Sequence, residues 1–339
     1  MKDKRTEKNN DMVNKLITFR NLVAAGILCL VAVSCTEDAD TDNRLPAGKY
    51  PMTFTAAVER LTATRATTDG SWTGSEVVAI QIGEVKKYIA ASDGSLTVES
   101  NKEPFYWTNQ TMNVSAWYSS SSYLDTKQPT TFSVQENQSN GGYQASDFLY
   151  SAPQNITFQN DGSSPKLTFK HLPAKVVVNL KYGEGVTEQE VSGAIVSILN
   201  QATTSGTIAD NGTVTQVTSG NTTIVSNVLI SAASGYQKSV QALLVPQQMK
   251  DKQFIKVTIG SDAAAREYFY TPTGADAANL EAGKAYTYTV TVKRDKLEVT
   301  AGTSVSWEGG TDIPGTNITA ESNGAYHLHR FWRQLRRSC

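Results

Sequence analysis

Histidine and cysteine, the side chains best suited to proton transfer and nucleophilic attack near neutral pH, are scarce in this sequence. Three of each occur among 339 residues. His327 and His329 lie in a basic C-terminal stretch, and His171 alone borders apolar residues of a predicted core, where a hydrogen-bonded structural histidine is expected. The sequence also lacks a G-x-S-x-G elbow, an H-E-x-x-H motif and paired cysteines at zinc-binding spacing. We therefore predict no catalytic residue, no metal site and no cofactor.

Cys35 is the one cysteine whose neighbours predict a particular chemistry. The apolar run Leu22–Val33 follows a basic stretch, which is the charge order of a secretory signal peptide. The run falls well short of the roughly 20 apolar residues that a bilayer-spanning helix needs. Residues 32–35, Ala-Val-Ser-Cys, resemble a lipobox, in which the cysteine thiol is joined to diacylglycerol. We predict a lipoprotein signal peptide over residues 1–34 and lipidation of Cys35; the alternative is an ordinary signal peptide.

Residues 35–49 are predicted to form a solvated acidic linker. Acidic residues directly after a lipidated cysteine resemble the signal that sends Bacteroidetes lipoproteins to the outer face of the outer membrane. Calcium binding is the alternative, because aspartates alternate as they do at the start of an EF-hand loop: Asp38, Asp40 and Asp42. That loop also needs Gly at its sixth position and Glu at its twelfth, where this chain has Asn43 and Lys49. We therefore favour a linker at the cell surface, anchored in the outer membrane by lipid.

The cysteines leave no pair for an internal disulfide. Cys29 departs with the predicted signal peptide, Cys35 carries the lipid, and Cys339 alone remains. An exported chain without disulfides depends on its apolar core for stability, and its length suits two domains. The formal net charge is −1, which gives no support for a nucleic-acid partner.

The sequence predicts an all-β protein. Short β-branched and aromatic runs recur from Tyr50 to Thr300, and helical patterns are limited to Thr187–Val191 and Ala275–Leu280. In the clearest strand, Tyr and Val alternate with Thr from 286 to 293, as in a half-buried antiparallel strand. Residue pairs that favour tight turns separate the strands: Asp69-Gly70, Asp93-Gly94, Asn140-Gly141, Asp161-Gly162 and Asn211-Gly212.

The strands are predicted to fall into two β-sandwiches. We place the boundary near His171 and Pro173, with an N-terminal sandwich over 50–172 and a C-terminal sandwich over 173–308. Residues 309–339 are predicted to be an irregular basic tail.

Tryptophans offer a binding chemistry, because exposed indole rings stack on sugars. The candidates are Trp72, Trp107, Trp117 and Trp307. Trp107 and Trp117 occupy strand-like positions, so core packing is the favoured interpretation.

The order of these features resembles the fimbrillin superfamily, the type V pilins and pilin-like surface lipoproteins of Bacteroidales. The resemblance spans Cys35 to Trp307 and rests on ordered motifs: MTFTAAV from Met52, TRAT from Thr64, SWTGSEVVAI from Ser71, EPFYW from Glu103, SAWY from Ser115, DFLYSAP from Asp147, LTFKHLPAKVVVNL from Leu167, LEAGKAYTYTVTV from Leu280 and LEVTAGTSVSW ending at Trp307. It implies two consecutive transthyretin-like Greek-key β-sandwiches.

The resemblance also implies a mode of assembly. In polymerising members an Arg-specific protease removes the first strand, and a strand of a neighbouring subunit fills the groove by β-augmentation. Arg65 matches the cleavage position, with Arg60 as second choice; an exposed loop arginine is the alternative. The candidate removable strand carries Met52, Phe54, Ala56 and Val58. Partners would be other pilin subunits or a second copy, by strand exchange.

The end of the chain departs from the family pattern. Arginines cluster there at Arg330, Arg333, Arg336 and Arg337, which suits either an anionic surface or an irregular terminus. If the C-terminal segment donates the strand in polymerising members, this basic ending is unlike the family's donor and argues against polymerisation by this chain.

We therefore predict a cell-surface fimbrillin-like lipoprotein that acts as pilus subunit, anchor or tip. Adhesion to a host protein or glycan receptor is the expected output. The alternative is an outer-membrane glycan-binding lipoprotein for nutrient uptake, with exposed coplanar aromatic rings. A surface glycosidase is a third hypothesis, which needs two carboxylates about 5–10 Å apart across a cleft.

Overall fold

A computed structural model of the chain describes residues 43–59, 72–120, 124–125, 127–215, 220–274, 278–302, 305–306 and 317–321. The described residues from Leu45 onward belong to one compact unit. Within the described residues, no helix combines the length and apolar character needed to cross a membrane.

The first part of the chain, the described residues up to His171, contains eight strands and one helical turn. In chain order they are β1 (Phe54–Val58), β2 (Glu76–Ile82), β3 (Glu84–Ala90), β4 (Ser95–Val98), β5 (Thr111–Ser119), β6 (Thr131–Ser133), α1 (Gly142–Ala145), β7 (Phe148–Thr157) and β8 (Lys166–His171).

The second part, the described residues after His171, forms strands of two to nine residues, one helix and a 3₁₀ turn, Asp262–Ala264. The elements are β9 (Ala174–Tyr182), α2 (Glu188–Ser192), β10 (Ile195–Gln201), β11 (Ser205–Ile208), β12 (Val214–Thr215), β13 (Thr222–Val225), β14 (Asn227–Val228), β15 (Lys238–Leu244), β16 (Gln247–Gln248), β17 (Ile255–Ile259), β18 (Arg266–Tyr270), β19 (Asn279–Leu280), β20 (Lys284–Val292), β21 (Lys296–Ala301), β22 (Val305–Ser306) and β23 (Asn317–Glu321).

The predicted all-β fold is confirmed. Seven strands of the first part form a closed hydrogen-bonded ring in the order β1-β4-β3-β2-β5-β7-β8. The ring closes where β1 pairs with β8, and this pair is parallel, whereas the other pairs in the ring are antiparallel. Alternating side chains fill its interior, among them Phe54, Val78, Tyr88, Val114 and Phe169.

The second part packs two sheets around a separate core. One sheet has the order β14-β15-β9-β20-β21-β23, with β22 added beside β20, and the other has the order β13-β10-β17-β18. Apolar residues of both sheets form one cluster that includes Val178, Val257, Tyr270, Tyr288 and Val290. The burial expected for the Tyr-Thr strand is confirmed in β20, but its pairing is mixed: β20 is parallel to β9 and antiparallel to β21.

Several local expectations are confirmed. Glycines of the described turn pairs have positive φ: Gly94, Gly141, Gly162 and Gly212. Helix α2 begins with a capping box between Thr187 and Glu190. His171 is buried, and its Nδ1 lies 2.8 Å from Oδ1 of Asp147, so it is a hydrogen-bonded structural histidine.

The prediction of a wholly irregular tail is wrong for Asn317–Glu321. These residues form β23, which pairs with β21 in an antiparallel ladder. The edge of β21 offers unpaired backbone groups, and a short β-branched stretch satisfies them even beyond the range in which the sequence predicts strands.

A third apolar cluster joins the two parts of the chain. It combines residues before position 172, such as Trp117, Phe132 and Tyr150, with later ones such as Leu243 and Val245. Strand β6 also pairs with β11, which places a strand from the first part in the sheet β12-β11-β6. The domain boundary near His171 stays a prediction, and the contacts across it are backbone pairing and a shared core.

Gln138 completes this junction with a pair of side-chain-to-backbone hydrogen bonds. The residue is fully buried. Its Nε2 donates to the Leu243 carbonyl oxygen at 2.6 Å, and its Oε1 accepts from the Leu243 amide at 2.7 Å. The side-chain amide thus satisfies both backbone groups of Leu243.

We expect Gln138→Leu to lower the free energy of unfolding by about 2 kcal/mol, because it leaves a buried amide and a buried carbonyl of Leu243 without these partners. Urea denaturation measures the change. Gln144→Leu, on the exposed face of α1, is the control and should change stability by less than about 0.5 kcal/mol. A Gln138 variant as stable as the control would contradict the assignment.

Candidate functional site: the first-strand groove

The candidate site is the space that β1 fills in the ring, which we call the first-strand groove. The sequence of this segment alternates large or aliphatic residues with threonine and alanine, so one face turns inward. The inward side chains are buried, with exposed fractions of 2% for Met52, 1% for Phe54, 6% for Ala56 and 8% for Val58. The predicted removable strand is therefore part of the core.

Two neighbouring strands hold the backbone of β1. On one side the amides of Thr55 and Glu59 donate to the Pro165 and Phe169 carbonyls at 3.0 and 2.7 Å. On the other side the amide of Ala56 donates to the Gly94 carbonyl at 2.7 Å. If β1 left, the facing edges of β4 and β8 would lose these partners, as at any open sheet edge.

Phe54 supplies the largest side chain in the groove. Its ring meets Tyr88 edge-on, with centroids 5.6 Å apart and planes at 87°. Tyr88 in turn accepts a hydrogen bond from the amide of Phe105 at 3.0 Å, and burial raises the pKa of its hydroxyl. The hydrogen bond from Phe105 thus holds the Tyr88 ring in place opposite Phe54.

Gly94 allows β1 to approach β4 closely. Its φ is +86°, and a Cβ placed there would come closer than 3.0 Å to the carbonyl oxygen of Ala56. Real Cβ atoms essentially never come that close. The Asp93-Gly94 pair is therefore more than a turn signal, because it also provides clearance for the first strand.

Trp72 covers the C-terminal half of β1. Its indole Nε1 donates to the Ala56 carbonyl oxygen at 3.1 Å. Its ring lies edge-on to Tyr118 and Phe169, with centroid distances of 5.9 and 5.4 Å. The indole thereby links β1 to β5 and β8.

Glu76 fixes the loop that carries Trp72. Its carboxylate accepts hydrogen bonds from Thr73 N and Oγ1, at 2.8 and 2.6 Å, and from the amides of Gly74 and Ser75, both at 3.1 Å. Burial acts to raise the pKa of Glu76, but the hydrogen bonds from Thr73 and Ser75 outweigh it and hold the pKa below its ordinary value of 4.5.

Because the pKa of Glu76 is lowered in the folded state, the free energy of unfolding depends on pH in the acidic range. Because the folded-state pKa is below the unfolded value, the stabilisation by Glu76 is present above about pH 4.5 and is lost as pH falls through the folded-state pKa. We expect stability to drop less between about pH 5 and pH 3 in Glu76→Gln than in the wild type. Urea denaturation across this range measures the difference, and parallel curves would contradict it. Glu59→Gln, on an exposed residue, is the control.

An open cavity of about 490 Å³ borders the groove from outside. Its wall includes Ala57, Glu59, Trp72, Asp93 and Lys166. The outer side of β1 is thus reachable from solvent, whereas its inner side chains lie in the core.

The other predicted site residues are distributed as follows. Cys35, Arg60 and Arg65 lie outside the described residues, as do Trp307 and the histidines of the tail. Trp72, Trp107 and Trp117 are buried, with exposed fractions of 7%, 5% and 0%. The core interpretation of Trp107 and Trp117 is confirmed, Trp72 is buried as well, and the burial of all three counts against a sugar-stacking surface made of them.

Comparison with known families identifies the class of protein. A family model described as Fimbrillin-like matches residues 64–307. The chain belongs to the fimbrillin-like family. No curated protein sequence matches the chain.

Solved structures share the fold. The chain is similar to a "putative cell adhesion protein" from Bacteroides uniformis, with 19% identity, a TM-score of 0.56 and coverage of 76% of this chain and 99% of the other. It is also similar to a "putative cell adhesion protein" from Bacteroides ovatus, with 17% identity, a TM-score of 0.58 and coverage of 77% and 99%. At these identities the likeness concerns the fold alone.

Sequence reasoning missed two features of the groove: the indole bond to Ala56 and the loop that Glu76 fixes. The T-x-x-E spacing of Thr73 and Glu76 was an available signal, because it is typical of a carboxylate that binds upstream backbone amides. The bond from Trp72 to Ala56 had none, since it spans 16 residues and depends on tertiary packing.

Proposed function

We propose that this chain is a surface lipoprotein of fimbrillin type that assembles into or onto a pilus by β-strand complementation. Membership of the fimbrillin-like family supports the proposal. In it, Cys35 carries the lipid, the first strand is the exchangeable element, and adhesion is the output. The protein acts through binding rather than catalysis.

The observation that carries the proposal is the position of β1 in the ring. It is bound by only two antiparallel pairs to β4 and four parallel pairs to β8, yet it buries Phe54, Ala56 and Val58, and Met52 just before it is buried too. A short strand with a large apolar contribution is suited to exchange, because its removal leaves both backbone edges and apolar pockets for a replacement.

Cleavage at Arg65 would separate this strand from the rest of the chain. Residues 60–71 connect β1 to Trp72, so a cut there leaves Trp72 and all later strands in one piece. In the uncut chain β1 stays linked to Cys35 and the protein is an anchor. In the cut chain the part from Trp72 onward has no covalent link to the lipid and separates from it once β1 leaves the groove.

N-terminal sequencing of protein recovered from cells tests this step. A mature chain that begins at Ala66 supports cleavage, and a mature chain that still begins at Cys35 contradicts it. Arg65→Ala and Arg60→Ala distinguish the two candidate positions, because only the variant at the true site should retain the first strand.

Electron microscopy of surface material from cells with and without the chain tests the pilus role. Fibres that carry the labelled chain support it. If no fibre changes and none is labelled, the glycan-binding lipoprotein becomes the better hypothesis. Metabolic labelling with a fatty acid, lost in Cys35→Ala, tests the anchor.

A further inference from the structure

Trp72 would remain beside the first-strand groove after β1 has left. Its indole donates to Ala56, yet any cut between Glu59 and Trp72 leaves the indole with the body of the protein. The hydrogen bond therefore joins the exchangeable strand to a residue that stays behind.

The aromatic contacts that position the indole ring come from strands that remain after a cut. Its two edge-on contacts are with Tyr118 on β5 and Phe169 on β8, at interplanar angles of 90° and 85°. Glu76 fixes the loop on its other side. These contacts do not involve β1, so the N–H should stay directed into the groove when β1 is absent, and an incoming strand that buries it must supply an acceptor.

Gly94 contacts the backbone of the same residue, Ala56. Its carbonyl accepts from the Ala56 amide, and its missing Cβ leaves room for the Ala56 carbonyl oxygen. Trp72 and Gly94 thus contact the backbone of a single residue of the bound strand, and these contacts depend little on the side chain of that residue. A backbone clamp of this kind suits a partner whose sequence differs from that of β1.

Side-chain size sets the register of the occupant. Phe54 fills the pocket against Tyr88, whereas the buried position two residues later holds Ala56. A shift by two residues would move a phenyl ring into the space of a methyl group, which a packed core does not accommodate.

We infer that Trp72 and Gly94 form a backbone clamp that sets the residence time of any strand in the first-strand groove, while the sizes of the side chains at the Phe54 and Ala56 positions set its register. The partner is an extended segment that runs parallel to β8, with a large apolar residue at the Phe54 position and a small one at the Ala56 position. This inference rests on the proposed exchange of β1 and specifies which strand is accepted.

Strand exchange in a cut chain tests the clamp. A specific protease site is placed between residues 59 and 72 of the complete chain, the chain is cut, and a fluorescent peptide of Pro51–Glu59 is added. Anisotropy follows its binding and release. We expect Trp72→Phe, which keeps an aromatic ring but removes the N–H, to release the peptide about three- to tenfold faster. Trp117→Phe, a buried tryptophan of the third cluster, is the matched control and should release it at the wild-type rate.

A peptide with a thioamide at the Ala56 carbonyl separates the hydrogen bond from general packing. Sulfur accepts hydrogen bonds weakly, so this peptide should leave the wild type several-fold faster, with a smaller effect in Trp72→Phe. A peptide with Ala56→Leu should bind about tenfold more weakly or worse. Urea denaturation of each uncut variant verifies folding.

The outcomes separate the two proposals. If the cut wild-type chain never exchanges its first strand, the proposed function itself is contradicted. If exchange occurs but Trp72→Phe and the thioamide have no effect, the clamp alone is wrong. Tight binding of the Ala56→Leu peptide would overturn the size rule.

Discussion

Replacing Phe54 with alanine is expected to lower the free energy of unfolding by about 3–5 kcal/mol, the range for removing a buried aromatic ring. The ring is 1% exposed and meets Tyr88 edge-on, so its loss removes transfer free energy and an aromatic contact and leaves a cavity. Phe54 lies on the strand that closes the ring, so its loss should make the ring unfold more readily than the two-sheet part that contains β20.

Urea denaturation with hydrogen exchange checks this result. Amides of β1 should exchange faster in Phe54→Ala, while amides of β20 in the other core should change little. Thr53→Ala is the control, because Thr53 is the exposed neighbour and loses only a surface hydrogen bond to Ser164. A loss below about 1 kcal/mol in Phe54→Ala would mean that β1 contributes little to the core.

Replacing Gly94 with valine is expected to cost about 3 kcal/mol or more, from two sources. A side chain at φ +86° is strained by about 1–2 kcal/mol. The added Cβ also collides with the Ala56 carbonyl oxygen, so β1 and β4 must separate or the loop must shift.

Gly162→Val separates these two sources. Gly162 has a similar φ of +77°, but a Cβ there meets no atom within 4 Å. It should therefore show the backbone strain without the collision, and the difference between the two variants measures how closely β1 must approach Gly94. Equal losses would contradict the close approach. Faster exchange of the Ala56 amide in Gly94→Val alone would support it.

The contacts that hold β1 affect both the stability of the uncut chain and strand exchange in the cut chain. Phe54 and Gly94 determine how tightly β1 is held, and Trp72 adds a bond from the side that remains after cutting. A variant that weakens β1 should destabilise the uncut chain and accelerate exchange in the cut chain. The two measurements together distinguish a structural strand from an exchangeable one.

The sequence alone determined the fold class, because its information is local. Alternation in β20, turn pairs with positive φ and the scarcity of helical patterns each follow from the chemistry of a few adjacent residues. The same holds for the buried face of Met52 to Val58, since alternation fixes which side chains share a face. The family resemblance also arose from motifs in order, and the family model confirms it.

Tertiary structure alone decided which strands pair and what holds the groove. The parallel pairing of β1 with β8, the contact of Gly94 with Ala56 and the bond from Trp72 join residues distant in sequence. No local pattern encodes such pairs, because the free energy that selects them comes from burying a shared core. Cys35 and Arg65 mark where the chain is predicted to be anchored and cut, and the strand between them has a buried apolar face that only the ring explains.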